Sequence, residues 1–476
     1  MVPVGSNDLP PQLHVVDTAL VAPAAPALPP RSLPLTFFDV KWLHLAPVER
    51  VFLYRLPPDA DVAAILSALR TSLSQALRAF YPLAGHVRIT ANKRHHELVY
   101  CPGDAVPFTT AEYDVDIDDL ASDGPVRVAT LAPLVPQLPK GRAVLAVQAT
   151  LLLRGLAVGV TVHHSACDGA SSMHFLRTWA AAACAGAGGA DHQLSPPPPV
   201  IDRTLITDPR GLYDIYLKKL PPMITDDGFE FISKPPSSFE DRIMATFTLP
   251  QNLLQSIKDA VTSEAARRGI TPPPRCSSML AAYGFIWSCY CRAMRAGGTT
   301  RGGRDETSHF LFSVDQRPRQ MKTAIPGTYF GNCLCPAIAA APEEELAAAG
   351  VGGLLAACAA VAAAVEEEVG EGAQDRWAGC VDRVKEAVAR GTLFVAGSPR
   401  FRVYDVDFGL GRPAKVVIVS AAKGGAMPVA DARGGGGGVE VGVSLPAATG
   451  DMERFQKSFA DGIAWVCSSI DHPIQQ

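Results

Sequence analysis

An apolar run from Ala143 to Val162 stops abruptly at two adjacent histidines, His163 and His164, with Asp168 and Gly169 one loop further on. The run reads as two β-rich segments, 144–153 and 156–162, joined at Arg154-Gly155. Both are too apolar to leave a face in water, so the sheet they form is expected to be covered. A buried strand that delivers an imidazole to its own end, with a carboxylate four residues on, suits a general base. Such a base needs a fixed orientation within hydrogen-bond reach of the proton it removes. A core histidine at a strand end, followed by a helix-capping Asp, is the plainer reading of the same residues.

The chain has 476 residues, 48% hydrophobic and 19% charged. That length favours two or three domains, and the composition supports large cores rather than disorder. A formal charge of −4 offers no attraction to nucleic acid or to an anionic membrane. The most apolar tract, 354–365, is about half the roughly 20 residues a membrane-spanning helix needs. Eleven cysteines, none in a Cys-x-x-Cys pair, fit neither a zinc site nor a secreted disulfide framework. They read as reduced thiols. The N-terminus lacks the basic and apolar regions of a signal peptide, and the expectation is a cytosolic monomer that binds no nucleic acid and no membrane.

In chain order, residues 8–35 are Pro-rich and expected to run extended along the surface. Asp61 is placed to cap a helix whose apolar positions, from Val62 to Phe80, follow 3.6-residue spacing. A short strand covers 96–100. After the histidine loop, 171–184 reads as a helix burying Phe175, Leu176 and Trp179. Residues 1–200 form the expected N-terminal domain. The Pro-rich, irregular stretch 201–240 is the expected crossover, and 241–476 the C-terminal domain. The second half is read as helices following Pro250 and over 277–294, a flexible Gly/Arg loop at 297–304, and a strand at 309–314. Further helices are expected over 343–370, 375–390 and 451–467, with strands near 392–396, 401–407, 415–421 and 438–445. Mixed elements in two halves predict two layered α/β domains.

Several short motifs carry a resemblance to a known family. His164-x-x-x-Asp168-Gly169 resembles the His-x-x-x-Asp motif of the plant BAHD acyl-CoA-dependent acyltransferases. Asp407-Phe408-Gly409-Leu410-Gly411 resembles that family's Asp-Phe-Gly-Trp-Gly, with Leu410 in place of Trp. Tyr329-Phe330-Gly331-Asn332-Cys333 matches a motif of the clade that acylates anthocyanins and other phenolic glycosides. Further matches lie at 33–39, 80–85, Val314-Asp315-x-Arg317-x-Arg319 and Gly397-Ser398-Pro399-Arg400-Phe401.

The resemblance implies a two-domain α/β, chloramphenicol-acetyltransferase-like architecture with His164 in an interdomain channel. It implies direct transfer in a ternary complex, with His164 as general base and no bound cofactor or metal. Asp168 takes the part of an orienting acid paired with Arg317. Asp407 belongs to the second signature motif, where Phe408, Gly409 and Gly411 point to a loop-holding role; the two glycines suggest positive φ. Ser398, Arg400, Thr36 and Phe38 are candidates for the acyl-CoA or acceptor pocket. The implied co-substrate is malonyl-CoA and the acceptor a sugar hydroxyl of a flavonoid, anthocyanin or other phenolic glucoside. A hydroxycinnamoyl donor is the alternative, and a catalytically silent scaffold homologue the competing class. A malonyl carboxylate needs a cation. Ala170 stands where many malonylating relatives carry Lys or Arg, which leaves Arg400 and Arg177, the latter expected to be the more solvated.

Other chemistries fit less well. Adjacent strand residues point to opposite faces, so His163 and His164 are poorly placed to ligate one metal. Cys167, three residues from His164 in a tight loop, has poor geometry as a nucleophile. Asp-Phe-Gly at 407–409 has none of the other kinase motifs. Residues 434–438 lack the Lys-Ser/Thr of a phosphate-binding loop and read as a hairpin tip.

Overall fold

A computed structural model describes residues 12–90, 95–139, 143–186, 196–220, 239–273, 276–298, 306–319 and 324–471. Of three sheets among the described residues, a small one joins Arg31–Pro34, His96–Tyr100 and His86–Ile89, and two larger ones carry the chain. The first has six strands in the order Leu13–Val21, Val106–Asp116, Leu145–Leu153, Gly155–Val162, Val48–Arg55 and Lys415–Ile418. The second has seven, in the order Leu334–Pro342, Thr307–Asp315, Leu393–Gly397, Met427–Asp431, Val439–Pro446, Arg242–Leu249 and Val126–Arg127. Each half of the chain lends one short strand to the other half's sheet. Lys415–Ile418 pairs antiparallel with Val48–Arg55, and Val126–Arg127 pairs with Arg242–Leu249. The two sheets therefore cannot part without breaking backbone ladders.

The apolar run is the centre of the first sheet. Gly155–Val162 is buried along its whole length, between Leu145–Leu153 and Val48–Arg55, which is why it carries no polar alternation. The turn falls at Arg154, whose φ is 62°. The helices Val62–Ala79 and Gly169–Gly186 cover one face, burying Leu73, Leu77, Phe175, Leu176 and Trp179. Asp61 caps the first of them, its carboxylate accepting from the Ala64 N–H. A second core joins Gln251–Arg267, Ser278–Ala296, Val351–Val369 and Asp451–Asp471 to the seven-stranded sheet; no helix among the described residues is long and apolar enough to cross a membrane.

Several sequence expectations need correction. The Pro-rich N-terminal stretch is extended and largely exposed, but Leu13–Val21 is a paired edge strand. The helix expected over 343–370 is two, Glu343–Leu346 and Val351–Val369, parted where Gly350 takes a φ of 72°. Residues 401–407 form no strand. They make tight 3₁₀ turns, Pro399–Phe401 and Val403–Asp405, because Pro399 starts one turn and Arg402 adopts a φ of 49°. The strand near 415–421 ends at Ile418, and Val419–Gly424 is helical. The strand Met427–Asp431 went unforeseen, and 201–240 is not irregular throughout, since Leu212–Lys219 is a helix. Residues 221–238 of that stretch, and 299–305 of the Gly/Arg loop, lie outside the described residues.

Candidate functional site

His164 follows the end of the central strand and is half-buried, whereas His163 is fully buried. Both lie just past the strand Gly155–Val162, and the two imidazoles have different surroundings. His163 Nδ1 accepts from the Ser165 backbone N–H at 3.2 Å, with the Ser165 hydroxyl 2.6 Å away. Burial pushes the His163 pKa down to about 3, so it is a neutral core residue.

His164 is locked by two contacts. The Trp42 indole stacks on its ring, centroids 3.8 Å apart and planes 10° from parallel. Its Nδ1 lies 3.0 Å from Asn332 Oδ1. The orientation of that amide is set by its other end, because Asn332 Nδ2 donates to Asp39 Oδ1 at 2.9 Å and to the His164 carbonyl at 2.8 Å. Oδ1 is therefore the acceptor and His164 Nδ1 carries the proton, an assignment made from the network. Nε2 is left with a lone pair. Burial lowers the pKa of His164; its own backbone, Asp168 and the Asn332 hydrogen bond pull the other way. A neutral imidazole with one nitrogen tied and the other basic is the form a general base needs.

The support behind His164 is the segment 329–333, held between two buried Arg–Asp pairs. On one side Asp168 and Arg317 meet in a fork, Nη1 to Oδ2 at 2.9 Å and Nη2 to Oδ1 at 3.0 Å. Asp168 also accepts from the N–H groups of Ser171 and Cys333, both at 3.0 Å, so it caps the helix Gly169–Gly186 while pairing with Arg317. Both sequence readings of Asp168 meet in one side chain. Arg317 Nη2 donates onward to the Gly331 carbonyl at 3.1 Å.

On the other side, Asp39 accepts from the Asn332 N–H at 3.0 Å and from the Thr36 N–H and hydroxyl at 2.8 and 2.7 Å. Arg203 Nη1 stands 3.6 Å from Asp39 and donates to the Tyr329 hydroxyl and the Phe330 carbonyl, each at 2.9 Å. Gly331 is required here, because a Cβ would fall 1.7 Å from Arg203 Nη1.

Asp39, Trp42, Arg203 and Asn332 were not singled out as site residues. Asp39 and Asn332 lie in matched motifs, a usable signal. Arg203 sits in the stretch read as a crossover, and nothing local marks it or Trp42.

The remaining candidates are distributed differently. Asp407 Oδ1 accepts from the N–H groups of Gly409, Leu410 and Gly411 at 2.8, 2.9 and 2.9 Å. The two glycines have φ of 84° and 81°. Phe408 packs on Trp179, centroids 4.6 Å apart, and on Tyr54. The loop is held by its own Asp and pinned to the core by its own Phe. Thr36 caps a short helix, Phe37–Val40, and Phe38 is a fully buried core ring beside Trp377, not a pocket wall. Ser398 accepts from the Arg400 N–H. Arg400 is exposed and lies in a turn, not a strand. Arg177 is the half-buried one and donates to the Phe401 carbonyl at 3.3 Å, the reverse of the expected order. Burial pushes the Cys167 thiol far up, away from thiolate chemistry.

The chain is similar to several known proteins. A model of the Transferase family matches residues 12–461. Phenolic glucoside malonyltransferase 2 of Arabidopsis thaliana is 30% identical over 481 residues, spanning 95% of this chain and 99% of that protein. Coumaroyl-CoA:anthocyanidin 3-O-glucoside-6''-O-coumaroyltransferase 1 of the same plant is 29% identical, spanning 94% and 97%. The crystal structure of vinorine synthase shares the fold, with a TM-score of 0.64 at 20% identity over 93% of this chain and 96% of that one.

Proposed function

From the premise that this chain belongs to the Transferase family, the BAHD acyl-CoA-dependent acyltransferases, we propose that it moves a malonyl group from malonyl-CoA to a sugar hydroxyl of a phenolic glucoside. The observation that carries the chemistry is the 3.0 Å approach of His164 Nδ1 to Asn332 Oδ1, from which the tautomer is assigned. With Nδ1–H donating to Asn332 Oδ1, Nε2 takes the proton of an acceptor hydroxyl as its oxygen attacks the thioester carbonyl. The tetrahedral intermediate then expels the CoA sulfur, and the imidazolium returns the proton to that thiolate. Atoms and charges balance without a covalent enzyme intermediate. A base so placed contributes about 10²–10⁴-fold. Asp168 does not touch the imidazole in this scheme; paired with Arg317, it holds the loop from which His164 projects.

The malonyl donor is supported by the relative named as a phenolic glucoside malonyltransferase. A coumaroyl donor is the second reading, favoured by a relative of nearly equal identity named for coumaroyl transfer to an anthocyanidin glucoside. Incubating the purified protein with malonyl-, acetyl- and p-coumaroyl-CoA and a panel of flavonoid and simple phenolic glucosides separates them by product mass. A mass gain for malonyl ester on the sugar is expected. Exclusive coumaroylation would overturn the donor.

A further inference from the structure

We propose that Arg50 binds the free carboxylate of the acyl donor and so sets the preference for a malonyl thioester, an inference that rests on the donor reading above. Arg50 lies on Val48–Arg55, opposite Val160 of the central strand and Ile418 of the strand lent by the C-terminal half. Four residues beyond Val160 the same chain presents His164. Arg50 is only 4% exposed. Its Nη1 points at the Met173 thioether, 2.8 Å away on the first turns of Gly169–Gly186, and its Nε finds no acceptor among the described residues. The other two buried arginines of this region, Arg203 and Arg317, each face an Asp. Among the described residues no carboxylate stands within ion-pair distance of Arg50. Burial accordingly lowers its pKa to about 10.

A buried cation without a counter-charge is costly to a fold. Arg50 lines a cleft between the two sheets, about 420 Å³ when the solvent at its open side is included, bounded also by Thr246, Gly397, Phe401, Val416 and Pro428. Phe401 packs onto Gly169, the residue after Asp168, where a Cβ would fall 2.6 Å from its ring. The cleft thus abuts the loop that carries His164. The acid in its wall, Glu440, is already engaged by the Tyr404 hydroxyl at 2.6 Å, the Arg433 N–H at 2.9 Å and the Arg433 guanidinium at 3.7 Å. Arg50 is left as an uncompensated fork in an otherwise mostly apolar space. A short acyl chain ending in a carboxylate matches it, since guanidinium binds carboxylate through two parallel hydrogen bonds. A hydroxycinnamoyl group has no charge to offer.

The test compares dissociation constants of malonyl-CoA and acetyl-CoA by calorimetry, without acceptor, in wild type, Arg50→Gln and Arg50→Lys. Wild type is expected to prefer malonyl-CoA. Arg50→Gln should lose roughly 10- to 100-fold of that preference, the size of one charge-assisted hydrogen bond, and Arg50→Lys should recover part of it. If wild type shows no preference, the malonyl reading itself fails. A preference that survives in Arg50→Gln, or equal weakening of both esters, overturns the role of Arg50 alone. Should neither variant fold, a crystal structure of wild type with malonyl-CoA decides. The malonyl carboxylate within hydrogen-bond distance of the Arg50 guanidinium is expected, and a carboxylate held elsewhere overturns the proposal.

Discussion

Asp168 and Asp407 each belong to a short motif that ends in glycine, yet the two carboxylates do opposite work. Asp407 is half-buried and accepts three backbone N–H groups within four residues of itself. Its loop would keep its shape wherever it was placed. Asp168 is buried and joins a helix start, Cys333 and Arg317, the last two roughly 150 residues or more away in sequence. Removing Asp407 opens one loop, while removing Asp168 leaves a guanidinium stranded and loosens the segment that aims His164. The lesson is that a motif's chemistry is read from where its partners come from, not from its letters.

The largest contrast is expected from the proposed base, His164. His164→Ala is expected to cut kcat/KM at least 10²- to 10⁴-fold, the usual share of a general base, with an unchanged thermal melt because the side chain is only half-buried. No substitution in the 407–411 loop should approach this. Near-normal turnover in His164→Ala would remove the basis of the proposed mechanism.

Next in size, Asp168→Asn and Arg317→Met should each cost about 3–5 kcal/mol of stability, since each strands a buried charge. The double variant should lose much less than the sum. Denaturant unfolding of the four proteins completes the cycle, and strict additivity would show that the pair is not a unit.

Asn332→Ala tests whether the tautomer matters apart from the fold. A drop of roughly tenfold to a hundredfold in kcat, the size of one lost buried hydrogen bond, is expected with little change in KM. A loss confined to KM would assign Asn332 to binding instead.

Asp407→Ala should cost about 1–2 kcal/mol in stability, as for other backbone caps, and a few-fold at most in turnover of the folded fraction. A folded but inactive Asp407→Ala would erase the distinction drawn above.

The smallest effect is a position on the pH axis. In the proposed mechanism His164 acts as the neutral form, and burial lowers its pKa below the ordinary 6.5. The neutral form therefore persists to lower pH, and the acid limb of kcat/KM should fall below pH 6.5. A limb centred above 6.5 would mean that the ring faces a carboxylate during turnover.

What the sequence by itself determined is what neighbours along the chain settle among themselves. The helix cap at Asp61, the helices carrying Trp179 and Trp287, the buried pair of strands before His163 and the positive φ of Gly409 and Gly411 all follow from spacing within a few residues. The resemblance carried by short motifs added His164 and the Asp168–Arg317 pairing. Only the tertiary structure decided how His164 is held. Its hydrogen bond to Asn332 spans 168 positions and the Asp39–Asn332 bonds span 293. No local periodicity records such closures, because each depends on two sheets meeting at one place. The same holds for Arg203, Trp42 and Arg50, whose neighbours in sequence mark none of them for a site. The strand expected at 401–407 failed for the complementary reason. Its Phe, Val and Tyr content favours a strand, but Val403 spends its N–H on Asp431 at 2.7 Å rather than on a ladder, and that choice was made by a strand 28 residues away.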